Sequence, residues 1–175
     1  MKDSDLSRYL SLVLRHAPEK AGITLDGQGW VDLAELVSSS KESFTQKDVE
    51  RVVASNDKQR FVIQHGRIRA NQGHSVSVDL GLTPKKPPQD LYHGTSRSGW
   101  VDIDNEGLKK MGRHHVHLAE DCQSAIAVGR RAGSPILLQV AAGLMHLEGA
   151  TFYQSANGVW LVDAVPRKYL RELKL

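Results

Sequence analysis

The chain has 175 residues, 40% of them hydrophobic and 25% charged, the make-up of a soluble globular protein with one ordinary domain or two small lobes. No apolar run nears the roughly 20 residues that span a bilayer, the start MKDSDLSRYL is unlike a signal peptide, and Cys122, the only cysteine, excludes an internal disulfide and suits a reducing cytoplasm. Residues 1–82 are electrically neutral and residues 83–175 carry the whole net charge of +3, so an anion must be held by a few converging cations and not by bulk charge.

In chain order, Leu6, Tyr9, Leu10, Val13 and Leu14 recur at the spacing of an amphipathic helix. Ser4 or Asp5 can cap it, and Pro18 stops it near His16 by disfavouring helical geometry at Ala17. Asp32, with Glu35 three residues on, predicts a capped second helix, and Thr45 with Asp48 a third. RFVIQHGRIRA reads as two short strands around His65-Gly66. Three helices and then a hairpin is the order of a winged-helix module, placed at residues 1–82. The Pro- and Lys-rich stretch at 83–90 reads as a linker. Residues 91–175 then switch to short strands at Leu91–His93, Val116–Leu118, Ile136–Val140 and Val159–Val162, with helices near Trp100–Met111 and Cys122–Arg131. The expected class is α+β in two lobes. Trp30 and Trp160 are expected to anchor cores.

Several chemistries are missing. Gly27-Gln28-Gly29 has Asp32 where a dinucleotide-binding turn needs its third glycine. There is no phosphate loop, no His-Glu-x-x-His, no Gly-x-Ser-x-Gly and no CxxC pair. His115 and His117 would share a strand face, but no acid or thiolate falls at ligand spacing, so no metal is expected.

Five stretches in fixed order carry more information than any of these. They are SRYLSLVLRHAPEKAGITLDGQGWVDLAEL, SNDKQRF, IRANQGHS, LYHGT with the later HHVHLAED, and FYQSANGVWL. Together they resemble the RNA 2′-phosphotransferase family known from transfer-RNA splicing, from Ser7 to about Leu170. The resemblance implies a winged-helix RNA lobe followed by a lobe of the ADP-ribosyltransferase kind that binds NAD. It implies a cytoplasmic, monomeric enzyme acting on tRNA-like RNA with an internal 2′-phosphate. The phosphate attacks the NAD ribose and nicotinamide leaves, giving an ADP-ribosylated RNA. A ribose hydroxyl then attacks phosphorus, releasing 2′-OH RNA and ADP-ribose 1″,2″-cyclic phosphate.

By the same resemblance the catalytic set is Arg15, His16, Arg69 and Arg131, with Arg130 a rival. In VGRRAGSP, Ala132 stands where the family has histidine. His93, Gly94, Thr95 and His117 are expected at NAD, with Ser134 near a phosphate. Val159 falls where many relatives of that fold carry a glutamate. Asn71, Gln72, His74 and Ser75, in a polar turn with Gly73, are expected to touch RNA or phosphate.

The residue types suit that chemistry. A phosphate monoester carries about −1.5 to −2 charge at pH 7 and needs no general base, and guanidinium groups bind it bidentately. An apolar Val159 avoids repelling it. The second step moves protons, which an imidazole of pKa about 6.5 can assist. Alone, Arg15 would merely complement a helix dipole; the ordered set gives it a ligand. Two other readings fit fewer residues: ADP-ribosylation of terminal nucleic-acid phosphates without a second step, and a winged-helix module that only binds nucleic acid, which the neutral first half opposes.

Overall fold

A computed structural model describes all 175 residues. It is mixed α/β, with six α-helices and small sheets that are antiparallel throughout, and it divides into two compact units, Met1–Gly81 and Leu82–Leu175.

The first unit opens with α1, Asp3–Arg15, whose Leu6, Leu10, Val13 and Leu14 are buried in one apolar stripe. It begins two or three residues earlier than caps at Ser4 or Asp5 would place it, with Lys2 at the cap position and no side-chain cap bond. Asp3 and Asp5 instead supply negative charge to the first turn, where the helix dipole favours it. The end is as the proline dictates: His16 caps α1 and Pro18–Ala21 form a single 3-10 turn. A two-residue strand β1, Val31–Asp32, runs into α2, Leu33–Ser39, whose Ala34 and Glu35 N–H groups donate to the Asp32 carboxylate. Next comes α3, Gln46–Ala54, opened by a reciprocal capping box between Thr45 and Asp48. The Thr45 donors hold the Asp48 carboxyl down to about 2.

Strands β2, Phe61–Gln64, and β3, Arg67–Ala70, close the unit, and the sheet order is β1-β3-β2. Their two-residue turn takes positive φ at both His65 (51°) and Gly66 (73°), the twist that matches a tight hairpin. Register pairs Phe61 with Ala70 and Val62 with Arg69. Ile68 and Ala70 therefore face the core with α1, and Arg67 and Arg69 take the opposite face.

The second unit has β4, Leu91–Ser96; α4, Arg97–Glu106; β5, Leu108–Lys109; β6, Val116–Leu118; and α5, Cys122–Arg130. It continues with β7, Pro135–Val140; α6, Ala142–Leu147; β8, Phe152–Gln154; β9, Trp160–Val162; β10, Ala164–Val165; and β11, Leu170–Leu173. Three sheets result, ordered β11-β7-β4, β6-β9-β8 and β10-β5. A bridge in which Tyr92 and Ala119 exchange backbone hydrogen bonds, each 2.8 Å, ties β4 to the residue after β6. Leu91, Leu138, Val140, Phe152 and Trp160 lie in its core.

Two segments differ from expectation. Helix α4 starts three residues early, because Ser96 caps it through the Gly99 N–H, and stops at Gly107 (φ 77°), so Leu108–Lys109 becomes a strand. The stretch at 83–90 is fastened to the second unit. Lys85 donates its backbone N–H to the Phe152 carbonyl at 2.8 Å, its ammonium bonds Gln154 and sits over the Trp160 ring, and the Gln89 carbonyl accepts from Gly143.

Candidate active site

In the first unit the candidates gather where the chain leaves β3 and returns to the end of α1. The backbone N–H groups of Ser75 and Val76 both donate to the Arg15 carbonyl, at 2.8 and 3.2 Å. That carbonyl belongs to the last turn of α1, whose oxygens lack helical partners. One residue on, the His16 ring presents Nδ1 to the Ser75 hydroxyl at 2.9 Å. The polar turn thus caps the helix end and orients an exposed imidazole in one stroke. Arg15 is half-buried, its guanidinium carbon 5.9 Å from the Phe61 ring centroid.

Arg69 is held differently. Its guanidinium lies 4.7 Å over the Trp30 ring, and Nη1 donates to the Gln28 carbonyl at 3.3 Å. Burial pulls its pKa down, with Asp26 opposing, but a guanidinium keeps its proton. Asp26 itself pairs with Arg67 at 2.9 Å. Trp30 was expected as a core anchor; it is only partly buried and serves as the platform for Arg69, whereas Trp160 is 2% exposed and does anchor a core. Nothing in the local pattern signals the Trp30–Arg69 contact, which links residues 39 apart across the sheet.

The polar turn is mostly interior. Asn71, Gln72 and His74 are buried, and Ser75 is exposed. The Asn71 amide donates to the Gln59 carbonyl and its backbone N–H to the Arg60 carbonyl, so its nitrogen side closes the entry to β2. His74 packs on Gly29, where an added Cβ would come 3.1 Å from Nε2. Three buried polar atoms here lack a partner within the chain: Arg69 Nε, Asn71 Oδ1 and Gln72 Oε1. Each such atom costs roughly 1–3 kcal/mol unless something outside the chain satisfies it.

In the second unit, β4 and β6 bring two histidines together: His93 Nδ1 lies 3.1 Å from the His117 carbonyl oxygen. Burial drives the His93 pKa below 6.5, the His117 carbonyl opposes this, and the charge of Arg113 adds to it. Arg113, which the sequence reading passed over, also puts Nη1 3.4 Å from His117 Nδ1. Gly94 has a packing job, because a Cβ there would sit 1.6 Å from the Ala125 carbonyl oxygen of α5. Thr95 lies beneath Gly99 of α4. Arg130 ends α5, Arg131 caps it, and both are exposed, as is Ser134 before β7. Val159 precedes β9 in a turn, its carbonyl accepting from the Ser155 N–H at 2.9 Å. No group of three or more His, Cys, Asp or Glu is placed to hold a metal ion, and no helix is long and apolar enough to cross a membrane.

The first unit thus offers half-buried guanidinium groups and an oriented imidazole, and the second a histidine whose burial favours its neutral form. The profile of the RNA 2′-phosphotransferase, Tpt1 / KptA family matches residues 1–164, and the chain belongs to that family. A probable RNA 2′-phosphotransferase of Rhizobium leguminosarum bv. trifolii is 53% identical over 171 residues, covering 96% of this chain and 93% of that protein. Those of Streptomyces griseus subsp. griseus (49% identical, covering 94% of each chain) and Nostoc punctiforme (48% identical, covering 99% of this chain and 100% of the other) are also similar. The relatives' names describe a transferase acting on RNA.

Proposed function

We propose that this protein is an NAD-dependent RNA 2′-phosphotransferase of the cytoplasm, acting as a monomer, with a winged-helix RNA-binding unit followed by an NAD-binding unit of the ADP-ribosyltransferase kind. The observation that carries the reading is the joint held by Ser75. One residue grips the Arg15 carbonyl and the His16 ring together, a few positions after Arg69. In this reading Arg131 is a catalytic cation of the second unit, and Arg15 and Arg69 hold the 2′-phosphate. The unpartnered Arg69 Nε supports that role, since a phosphate oxygen is the acceptor it lacks. Asn71 Oδ1 and Gln72 Oε1 are acceptors and repel an anion, so they suit a ribose hydroxyl of the RNA.

NAD is consumed as a substrate, supplying an electrophilic ribose carbon with nicotinamide as leaving group. The second unit's donor set fits it: a neutral His93 offers hydrogen-bonding capacity for a ribose hydroxyl without adding charge. His117, Thr95, Ser134 and Val159 complete that side, and Gly94 contributes by seating α5 against β4. No general base is needed to launch a phosphate dianion. His16 donates a proton or hydrogen bond toward the RNA 2′-oxygen as it departs, while the arginines stabilise charge on the phosphoryl oxygens. The test is incubation with NAD and an oligonucleotide bearing one internal 2′-phosphate, read by mass. Loss of the phosphate from RNA and a new cyclic phosphate of ADP-ribose are expected; unchanged RNA at enzyme excess refutes the reading.

A further inference from the structure

Two of the second unit's histidines, His93 and His117, face opposite kinds of partner at Nδ1, and the partner of His117 is an exposed arginine. His93 Nδ1 faces a carbonyl oxygen, which can only accept. That nitrogen therefore holds the ring's proton, and Nε2 keeps the lone pair. His117 Nδ1 faces the Arg113 guanidinium, which can only donate and does not deprotonate. That nitrogen therefore holds the lone pair, and the proton of the neutral ring sits on Nε2. We infer that Arg113 is a positioning residue that fixes His117 as the Nε2–H tautomer, so that His93 and His117 present one acceptor and one donor.

A ribose hydroxyl both gives and takes a hydrogen bond, so it matches a mixed pair better than two donors or two acceptors. This ligand assignment rests on the NAD reading above; the proton assignment does not. Arg113 is exposed and Arg113 and His117 are joined through a ring nitrogen, so replacing the arginine leaves the β4–β6 framework intact. The hydrogen bond from His93 runs to a backbone carbonyl and should survive that replacement.

The experiment is an imidazole nitrogen NMR spectrum of the full-length protein without ligand, near neutral pH. His93 is expected as Nδ1–H and His117 as Nε2–H with a hydrogen-bonded Nδ1. In Arg113→Met the His117 Nδ1 resonance should move toward that of a free ring nitrogen, while His93 stays put. Arg113→Lys, which restores a donor, should recover part of the shift. The matching kinetic outcome is a KM for NAD raised about tenfold, the effect of losing one hydrogen bond, with a smaller change in kcat. A protonated Nδ1 on His117, or a spectrum indifferent to Arg113→Met, overturns the inference. Adding NAD separates the two claims: if it moves neither ring although the tautomers are as assigned, the NAD reading fails and the proton assignment stands.

Discussion

The candidate arginines of the first unit are built in, and those of the second stand at a helix end. Arg15 and Arg69 are half-buried, each against an aromatic ring, and Arg69 is further held by the Gln28 carbonyl. Arg130 and Arg131 are exposed where α5 gives way to the turn before β7. A side chain already confined loses little freedom when it meets an anion, whereas an exposed arginine gives up as much as about 2 kcal/mol of rotamer entropy. Under the proposed function, the confined arginines of the first unit meet an anion at little entropic cost, and an exposed arginine at the end of α5 does so at a larger one.

The sharpest way to break this comparison is to remove the built-in charges. Arg69→Ala and Arg15→Ala should each lower turnover of 2′-phosphorylated RNA about 10²–10³-fold, the usual cost of one donor to a developing oxyanion. Arg69→Lys should not rescue, because an ammonium cannot lie flat on Trp30 and fork to phosphate at once. Unfolding midpoints close to wild type would show that chemistry was lost and not the fold. Turnover within a few-fold of wild type in Arg69→Ala would remove that arginine from the mechanism.

The second unit offers a choice within one dipeptide. Arg131→Ala should cost about a hundredfold, and Arg130→Ala should leave turnover nearly unchanged. The reverse result moves the catalytic role to Arg130, the residue that ends the helix. Both side chains are exposed, so neither substitution should alter stability measurably.

Gly94 tests the second unit's framework instead of its charge. A methyl group there meets a backbone oxygen at 1.6 Å, an obstacle that cannot rotate away. Gly94→Ala should destabilise the protein by about 3 kcal/mol, the upper part of the usual range for overpacking, as read by denaturant titration. Stability of the same unit should also fall with acid. Burial places the His93 pKa below its unfolded value of 6.5, so the unfolded chain binds the extra proton first. The contribution is complete above pH 6.5 and declines as pH drops through 6.5 toward the folded value; His93→Gln should flatten that slope.

Legibility in the sequence followed range. The caps of α2 and α3 and the β2–β3 turn were readable because each is decided within about four residues: Asp32 to Glu35, Thr45 to Asp48, His65 to Gly66. Helix α6 was missed because six residues, Ala142–Leu147, are too few to display a period. Strands β5 and β10 are two residues long and exist only as each other's partner. The site divides in the same way. Motif order nominates Arg15, His16 and Arg69, but the contacts that hold them are not readable from it. The Trp30 platform, the Asn71–Gln59 clasp and the Arg113–His117 contact are tertiary facts without a local signature.

The finest test concerns Ser75, which bonds both the Arg15 carbonyl and the His16 ring. Its backbone N–H caps α1 whatever its side chain, so Ser75→Ala keeps the 2.8 Å bond to the Arg15 carbonyl and loses the hydroxyl's 2.9 Å bond to His16 Nδ1, with a long 3.5 Å contact to the same carbonyl. A neutral side-chain hydrogen bond is worth about 1 kcal/mol, or roughly fivefold. If His16 acts on a departing oxygen, that fivefold should appear in kcat for the RNA and not in the KM for either substrate, because a loosened imidazole is misaimed in the transition state and not in the ground state. Ser75→Thr, which retains the hydroxyl, should restore kcat. A loss confined to RNA KM would instead make Ser75 a contact of the substrate and remove it from the positioning of His16.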